Sequence, residues 1–162
     1  MFVPIKYLPK RLSKRDKQKQ RLALIKSRKA YHKGKYIHRK PLTSFTTKKS
    51  QHILNAERIY KIKNLSINSD LIKKTGCTRK ALNKIVKKGQ GAYYSSGSRP
   101  NQTAHSWGIA RLASSITSGK AAAVDYNILL EGCKPGSKAL KLAKKSRIKN
   151  GYGTRKIKKV KI

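Results

Sequence analysis

Acidic residues are the scarcest feature of this chain: five Asp and Glu stand against 42 Lys and Arg in 162 residues, a formal charge of +37. A chain so unbalanced repels itself when compact and needs an external anion. The shortage also excludes much chemistry. Divalent-metal and nuclease-type sites are commonly built from two or three clustered carboxylates. Here Asp125 and Glu131 lie six residues apart, off a common helix face. Cysteine is limited to Cys77 and Cys133, too few for a disulfide framework. Reducing conditions during synthesis are therefore expected, with each cysteine a small buried hydrophobe beside a helix end. Neither the cysteines nor His32, His38, His52 and His105 show the C-x-x-C or H-x-x-x-H spacing of a zinc site. No metal and no other cofactor is expected. No run approaches the roughly 18 apolar residues of a membrane-spanning helix. A secretory leader is not expected either, because Met1 to Leu8 is followed by a basic stretch and not by an apolar one. Hydrophobic residues at 37% and aromatics at 7% leave room for a small core only.

The positive charge is unevenly spread. Residues 1–50 hold 17 Lys/Arg and one acid, Asp16; residues 51–90 hold 10, with Glu57 and Asp70. Residues 91–137 hold only Arg99, Arg111, Lys120 and Lys134, with Asp125 and Glu131, and residues 138–162 hold 11 and no acid. A core forms at least electrostatic cost in the near-neutral block, which carries Trp107 and the Tyr93–Tyr94 pair. The basic ends read as arms or charged helices that follow a partner's surface.

Pro4 and Pro9 favour an extended start. Ser13 with Asp16 resembles a capping box and opens a predicted helix over residues 14–31, with Leu22, Ile25 and Lys29 on one face and Gly34 as its end. Ile53, Leu54, Ala56, Ile59 and Tyr60 recur at helical spacing. Ser69 is placed to cap a short helix over 70–74, ended by Gly76. Thr78 is placed to cap another over 79–88, ended by Gly89. A polar loop is predicted over 90–102. Thr103 then caps a helix through Trp107 and Ile116, and a helix over 120–131 follows with Ala121, Val124, Ile128 and Leu129 inward and Gly132 past its end. Ser137 opens a last basic helix, and the tail alternates enough for a short strand in contact. The expected fold class is all-α: a small helical module over 50–137, between a basic N-terminal arm (1–49, with one amphipathic helix) and a basic C-terminal helix and tail (138–162), the arms partly extended.

Ser95, Ser96 and Ser98 near His105 imitate a nucleophile and base, but turn and capping roles explain small polar residues in a loop better. Phosphate binding is a second possibility for this loop, since Gly89, Gly91, Gly97 and Arg99 precede a helix start. No P-loop is present, and no motif of a base-reading module. Tyr93 and Tyr94 suit base stacking, while packing against Trp107 is the plainer reading.

The run K-K-G-Q-G-A-Y-Y-S-S-G-S-R-P-N-Q-T over residues 87–103 continues with Ser106-Trp107, Ala110-Arg111-Leu112-Ala113-Ser114, Gly119-Lys120-Ala121 and Val124-Asp125. With the upstream Tyr7-Leu8-Pro9-Lys10, Ser13-Lys14 and the run from Asp16 to Gln20, it resembles a small uncharacterised domain family of large nucleocytoplasmic DNA viruses, including algal viruses. The resemblance carries no catalytic residues. It implies a protein of a large icosahedral DNA virus, carried in the virion, where small basic proteins act as cement beneath the major capsid shell.

These readings together predict no enzyme. They predict a minor capsid protein on the inner face of the shell, made in the host cytoplasm or nucleus. Its partners would be the major capsid protein and other minor capsid proteins, with viral DNA touched through the arms; no small-molecule substrate is expected. Candidate contact residues are Tyr93, Tyr94, Arg99, Trp107 and Arg111 in the module, with Arg11, Lys14, Arg15, Arg21, Lys144, Lys145 and Arg147 in the arms. A DNA-condensing core protein is the alternative, and a ribosomal-type RNA-binding protein a more distant one.

Overall fold

Helices form on even thin apolar patterns, and capping side chains such as Ser13 and Asn68 open some of them. A computed structural model of the chain describes residues 1–153 and 157–162. Among these residues the secondary structure is eight α-helices, a short 3-10 helix (Ile5–Tyr7) and one two-stranded sheet, mostly helical as expected. The helices are α1 (Lys14–Tyr31), α2 (Gln51–Tyr60), α3 (Ser69–Thr75), α4 (Arg79–Ser96), α5 (Ala104–Ser115), α6 (Lys120–Val124), α7 (Tyr126–Gly132) and α8 (Lys138–Asn150). The strands are β1 (Phe2–Pro4) and β2 (Lys159–Lys161), antiparallel with Val3 opposite Val160.

The chain divides into two units. The first comprises Met1–Lys48, Gln90–Trp107 and Lys156–Ile162; the second comprises Lys49–Gly89 and Gly108–Arg155. The first segment ends within one residue of the expected boundary at 49/50, whereas the expected boundary at 137/138 falls inside the second unit and residues 90–107 join the first. Residues 1–48 pack into the first unit and are not a free arm. Val3, Tyr7, Leu8 and Leu24 are buried together, with Met1, Trp107, Val160 and Ile162 against them. Leu12, Leu42 and Phe45 form a second small cluster.

The buried face of α1 explains why its pattern looked thin. It consists of Asp16, Gln20, Leu24 and Ser27, three of them polar. Leu22, placed inward by the apolar spacing, is exposed. Hydrogen bonds replace apolar contact on this face: Gln20 Nε2 donates to the carbonyls of Tyr7 (3.2 Å) and Ser98 (3.3 Å). At its start, Ser13 Oγ accepts from the Asp16 amide. Asp16 is one methylene shorter than the usual Glu of a capping box, and Ser44 bridges the gap. Its hydroxyl donates to Asp16 Oδ2 (2.7 Å) and accepts from the Ser13 amide (3.2 Å).

The segment predicted as a loop over 90–102 is helical through Ser96, because α4 runs on past Gly89 and Gly91. Each glycine in a helix costs about 1 kcal/mol relative to alanine. Burial of Tyr93 and Tyr94 in a cluster with Ala104 outweighs that cost. The helix stops at Gly97, whose φ of 89° permits the reversal and whose amide donates to the Ala92 carbonyl. A Cβ at Gly97 would lie 2.6 Å from Leu24 Cδ2.

The second unit holds the larger core, which includes Leu71, Leu82, Ile85, Leu112, Ile116 and Leu129. Asn68, and not Ser69, caps α3 by accepting from the Leu71 amide. The single helix expected over 120–131 breaks at Asp125, and Val124 faces out. Gly132 is the last residue of α7 rather than lying past it; a Cβ there would clash with Ala81 Cβ. Cys77 and Cys133 are joined by a disulfide, contrary to the free thiols expected. They face each other in an isolated antiparallel bridge, flanked by bonds from the Thr78 amide to the Gly132 carbonyl and from the Lys134 amide to the Gly76 carbonyl. Residues 56 apart in sequence are opposed by the fold, which no spacing rule reveals.

Cys133→Ser, or reduction of the wild type, is expected to cost about 2–4 kcal/mol of stability. Denaturant melts with and without reductant measure it; a loss in the wild type but none in the variant checks that the disulfide is the cause.

Candidate polyanion-binding surface

Each acid with an ion pair is used inside its own unit. In the first unit, Asp16 is the only acid. It accepts from the Ser44 amide and hydroxyl, with Lys19 Nζ at 3.6 Å, and the hydrogen bonds from Ser44 are the main reason its pKa lies below the ordinary carboxylate value. In the second unit, Glu57 pairs with Lys49 and Asp70 with Lys74. Asp125 is fully buried and takes four bonds. Arg111 reaches it as a fork, Nε to Oδ2 at 2.8 Å and Nη2 to Oδ1 at 2.7 Å; Lys88 Nζ donates to Oδ1 at 2.7 Å, and Ser115 Oγ to Oδ2 at 3.0 Å. Burial pushes the Asp125 carboxyl up, but Arg111 and Lys88 hold it below its ordinary value of 3.8.

Five acids cannot neutralise 42 cations, so each unit presents unmatched positive charge. The first unit has 21 Lys/Arg against one acid, and the second has 21 against four. Lys outnumbers Arg 31 to 11.

The expected contact residues separate into two groups. Arg99, Arg11, Lys14, Arg15, Lys144 and Lys145 are exposed, and Arg21 is half-buried. Arg11, Lys14 and Arg15 lie together at the entry to α1 in the first unit, where the Arg11 guanidinium sits 4.5 Å from the Phe45 ring. Lys144 and Lys145 lie on α8 of the second. The remaining candidates are turned to internal work. Tyr93 is 1% exposed and Tyr94 is ringed by Tyr36, His38 and Tyr93 at 5.0–5.8 Å, so neither offers a face for base stacking. Trp107 is partly buried against both Tyr7 and the Tyr93–Tyr94 cluster. Arg111 is spent on Asp125. Arg147 lies over the rings of Tyr126 (4.9 Å) and Tyr152 (4.3 Å) and donates to the Ala123 carbonyl. The packing of Tyr93 and Tyr94 with Trp107 is the plainer of the two readings given for them above; an aromatic or arginine in a small core with few other large side chains is used for packing first.

Arg39 was missed by the sequence reading. Its partners Ser27, Tyr93 and Ser98 lie 12 to 59 positions away, with no local pattern to mark them. The phosphate cradle weighed as a second possibility does not form at Gly89 and Gly91, since both are within α4. Among the described residues, no three His, Cys, Asp or Glu are grouped to hold a metal ion, and no helix is long and apolar enough to cross a membrane.

The model of a family of unknown function, DUF5824, matches residues 4–130. No curated protein and no solved structure matches the chain.

Two substitutions test the division between internal and exposed residues. Tyr93→Ala is expected to cost about 3–5 kcal/mol, and Arg99→Ala less than about 0.5 kcal/mol, both read by denaturant unfolding. Asp125→Asn leaves Arg111 without its anion and is expected to cost about 3–5 kcal/mol. Because the folded pKa of Asp125 is depressed, its stabilisation is complete above the unfolded value near 4 and is lost as pH falls through the lower folded value. An acid-unfolding series should show the wild type losing its advantage over Asp125→Asn only in that range.

Proposed function

The chain belongs to that family of unknown function, DUF5824, and we propose that it is a non-enzymatic structural protein that binds the phosphate backbone of nucleic acid within the particle of a large DNA virus. One observation carries this reading: both units are folded and compact, yet each exposes a dense set of cations that its own acids cannot neutralise. The type of cation favours phosphate over protein. Protein interfaces are depleted in lysine and enriched in arginine and aromatics, whereas this surface is mainly lysine and its aromatics are largely internal. A hydrated ammonium acts as a point charge, suited to sequence-independent contact. The viral setting follows from the resemblance of residues 87–103 described above. A non-enzymatic role fits the acids, since Asp16 and Asp125, the two that are buried, are committed to internal bonds.

A second reading keeps the minor capsid role, with the protein as cement on the inner face of the shell. Exposed apolar side chains favour it: Leu22 is 58% exposed on α1 and Ile148 is 88% exposed on α8. Packed termini weaken the idea of a tape, because β1 and β2 pair and the Ile162 amide donates to the Met1 carbonyl.

Anisotropy titrations on random duplex DNA from 50 to 200 mM salt test the first reading. The logarithm of affinity should fall linearly with the logarithm of salt concentration. The combined Arg11→Ala, Lys14→Ala and Arg15→Ala variant should lose about 2 to 3 units of slope, at roughly 0.9 per phosphate contact. Absence of saturable binding at the lowest salt sinks it. Retention of the protein by particle shells emptied of DNA supports the capsid reading instead.

A further inference from the structure

The guanidinium of Arg39 is partly buried and has no carboxylate partner among the described residues. The one acid of its unit, Asp16, is engaged by Ser44 and Lys19. An uncompensated charge withdrawn from water is unfavourable. What surrounds Arg39 is neutral. Its guanidinium lies 3.7 Å from the centre of the Tyr93 ring. Nη1 donates to Ser27 Oγ (2.9 Å) and to the Tyr93 carbonyl (3.1 Å), and Nη2 donates to Ser98 Oγ (2.8 Å). Arginine has five N–H donors. Nε and one N–H of Nη2 therefore have no acceptor among the described residues, which leaves part of the planar fork open.

A second arginine is tied to the first. Ser98 Oγ, while accepting from Arg39, donates to the Arg99 carbonyl at 2.8 Å. The Ser98 carbonyl accepts from Gln20 Nε2, and Ser98 is fully buried, so the backbone that carries Arg99 is pinned. The Arg99 side chain is exposed. Burial raises the pKa of the Tyr7 hydroxyl, and the charges of Arg39 and Arg99 both oppose that rise, so both cations act on one phenol. Two guanidiniums share this neighbourhood with no carboxylate bonded to either among the described residues.

We propose that Arg39 and Arg99, joined through Ser98, form a phosphate-binding site in the first unit. The planar guanidinium matches the oxygens of a phosphate group and takes them in pairs. Arg39 supplies a fixed, partly desolvated fork, and Arg99 closes over the ligand from solvent. The phosphate is either a backbone diester of nucleic acid or free inorganic phosphate. The site goes beyond the diffuse surface contact proposed above and does not depend on it.

Chemical-shift titration of the full chain with inorganic phosphate at constant ionic strength tests the site. A saturable one-to-one shift of the Ser98 and Arg99 amides is expected. Arg99→Ala should weaken it at least tenfold, and Arg39→Lys, which keeps the charge but loses the fork, by as much. Lys63→Ala should leave it unchanged. If Arg39→Lys fails to fold, Arg99→Ala alone decides. Shifts that do not saturate, or an equal loss in Lys63→Ala, overturn the site. Short duplex DNA moving the same amides supports it with the diester as ligand; phosphate moving them while DNA does not supports it with free phosphate. Loss of duplex binding with the phosphate shifts intact refutes the surface reading and leaves this site standing.

Discussion

Shortage of negative charge is the constraint on which the rest of this structure depends. Each unit buries one carboxylate and uses it as a fixed point. In the first, Asp16 bonds to Ser44 and so holds the segment after α1 to the start of that helix. In the second, Asp125 gathers Lys88 from α4 with Arg111 and Ser115 from α5, at the break between α6 and α7. A buried carboxylate is tolerated when paired and hydrogen-bonded: both oxygens of Asp125 accept bonds, and Asp16 accepts two at Oδ2 with Lys19 3.6 Å from Oδ1.

The same shortage shapes the first unit's interior. Acids are not there to balance its arginines, so neutral groups do so. Aromatic rings and hydroxyls surround Arg39, and Phe45 lies under Arg11. Aromatic faces carry partial negative charge and attract cations without adding an acid. The second unit does likewise with Arg147 on Tyr126 and Tyr152, and Lys138 near Tyr60. Several tyrosines that look available for partners are therefore already committed, and the charge left for binding sits on long exposed lysines.

Signals that act within a few residues are legible in the sequence. Ser13, with Asp16 three residues on, marks the start of α1, and the helix spans the predicted residues 14–31. Thr103 likewise caps α5, its hydroxyl accepting from the Ser106 amide. Features that depend on distant partners are not legible there. Gly89 and Gly91 signal a helix end, yet tyrosine burial carries α4 through them. The run over 120–131 has the pattern of one helix, and it breaks where Asp125 is drawn to α4 and α5. Residues 1–49 read as an arm because of their excess of basic residues and the thin apolar stripe of α1, and only partners such as Ser98 and Tyr7 show that the polar face of that helix is buried.

The sequence by itself determined the excess of cations, the helical character, the caps of α1 and α5, and the pairing tendency of an alternating tail. These follow from composition and from interactions within a few residues. Only the tertiary structure decided which cations are exposed, that the termini pair as strands, that Cys77 meets Cys133, and that Arg39 lies among groups 12 to 59 residues away. The physical reason is the same throughout. Desolvation and charge compensation depend on which distant groups converge, and spacing along the chain does not encode that convergence.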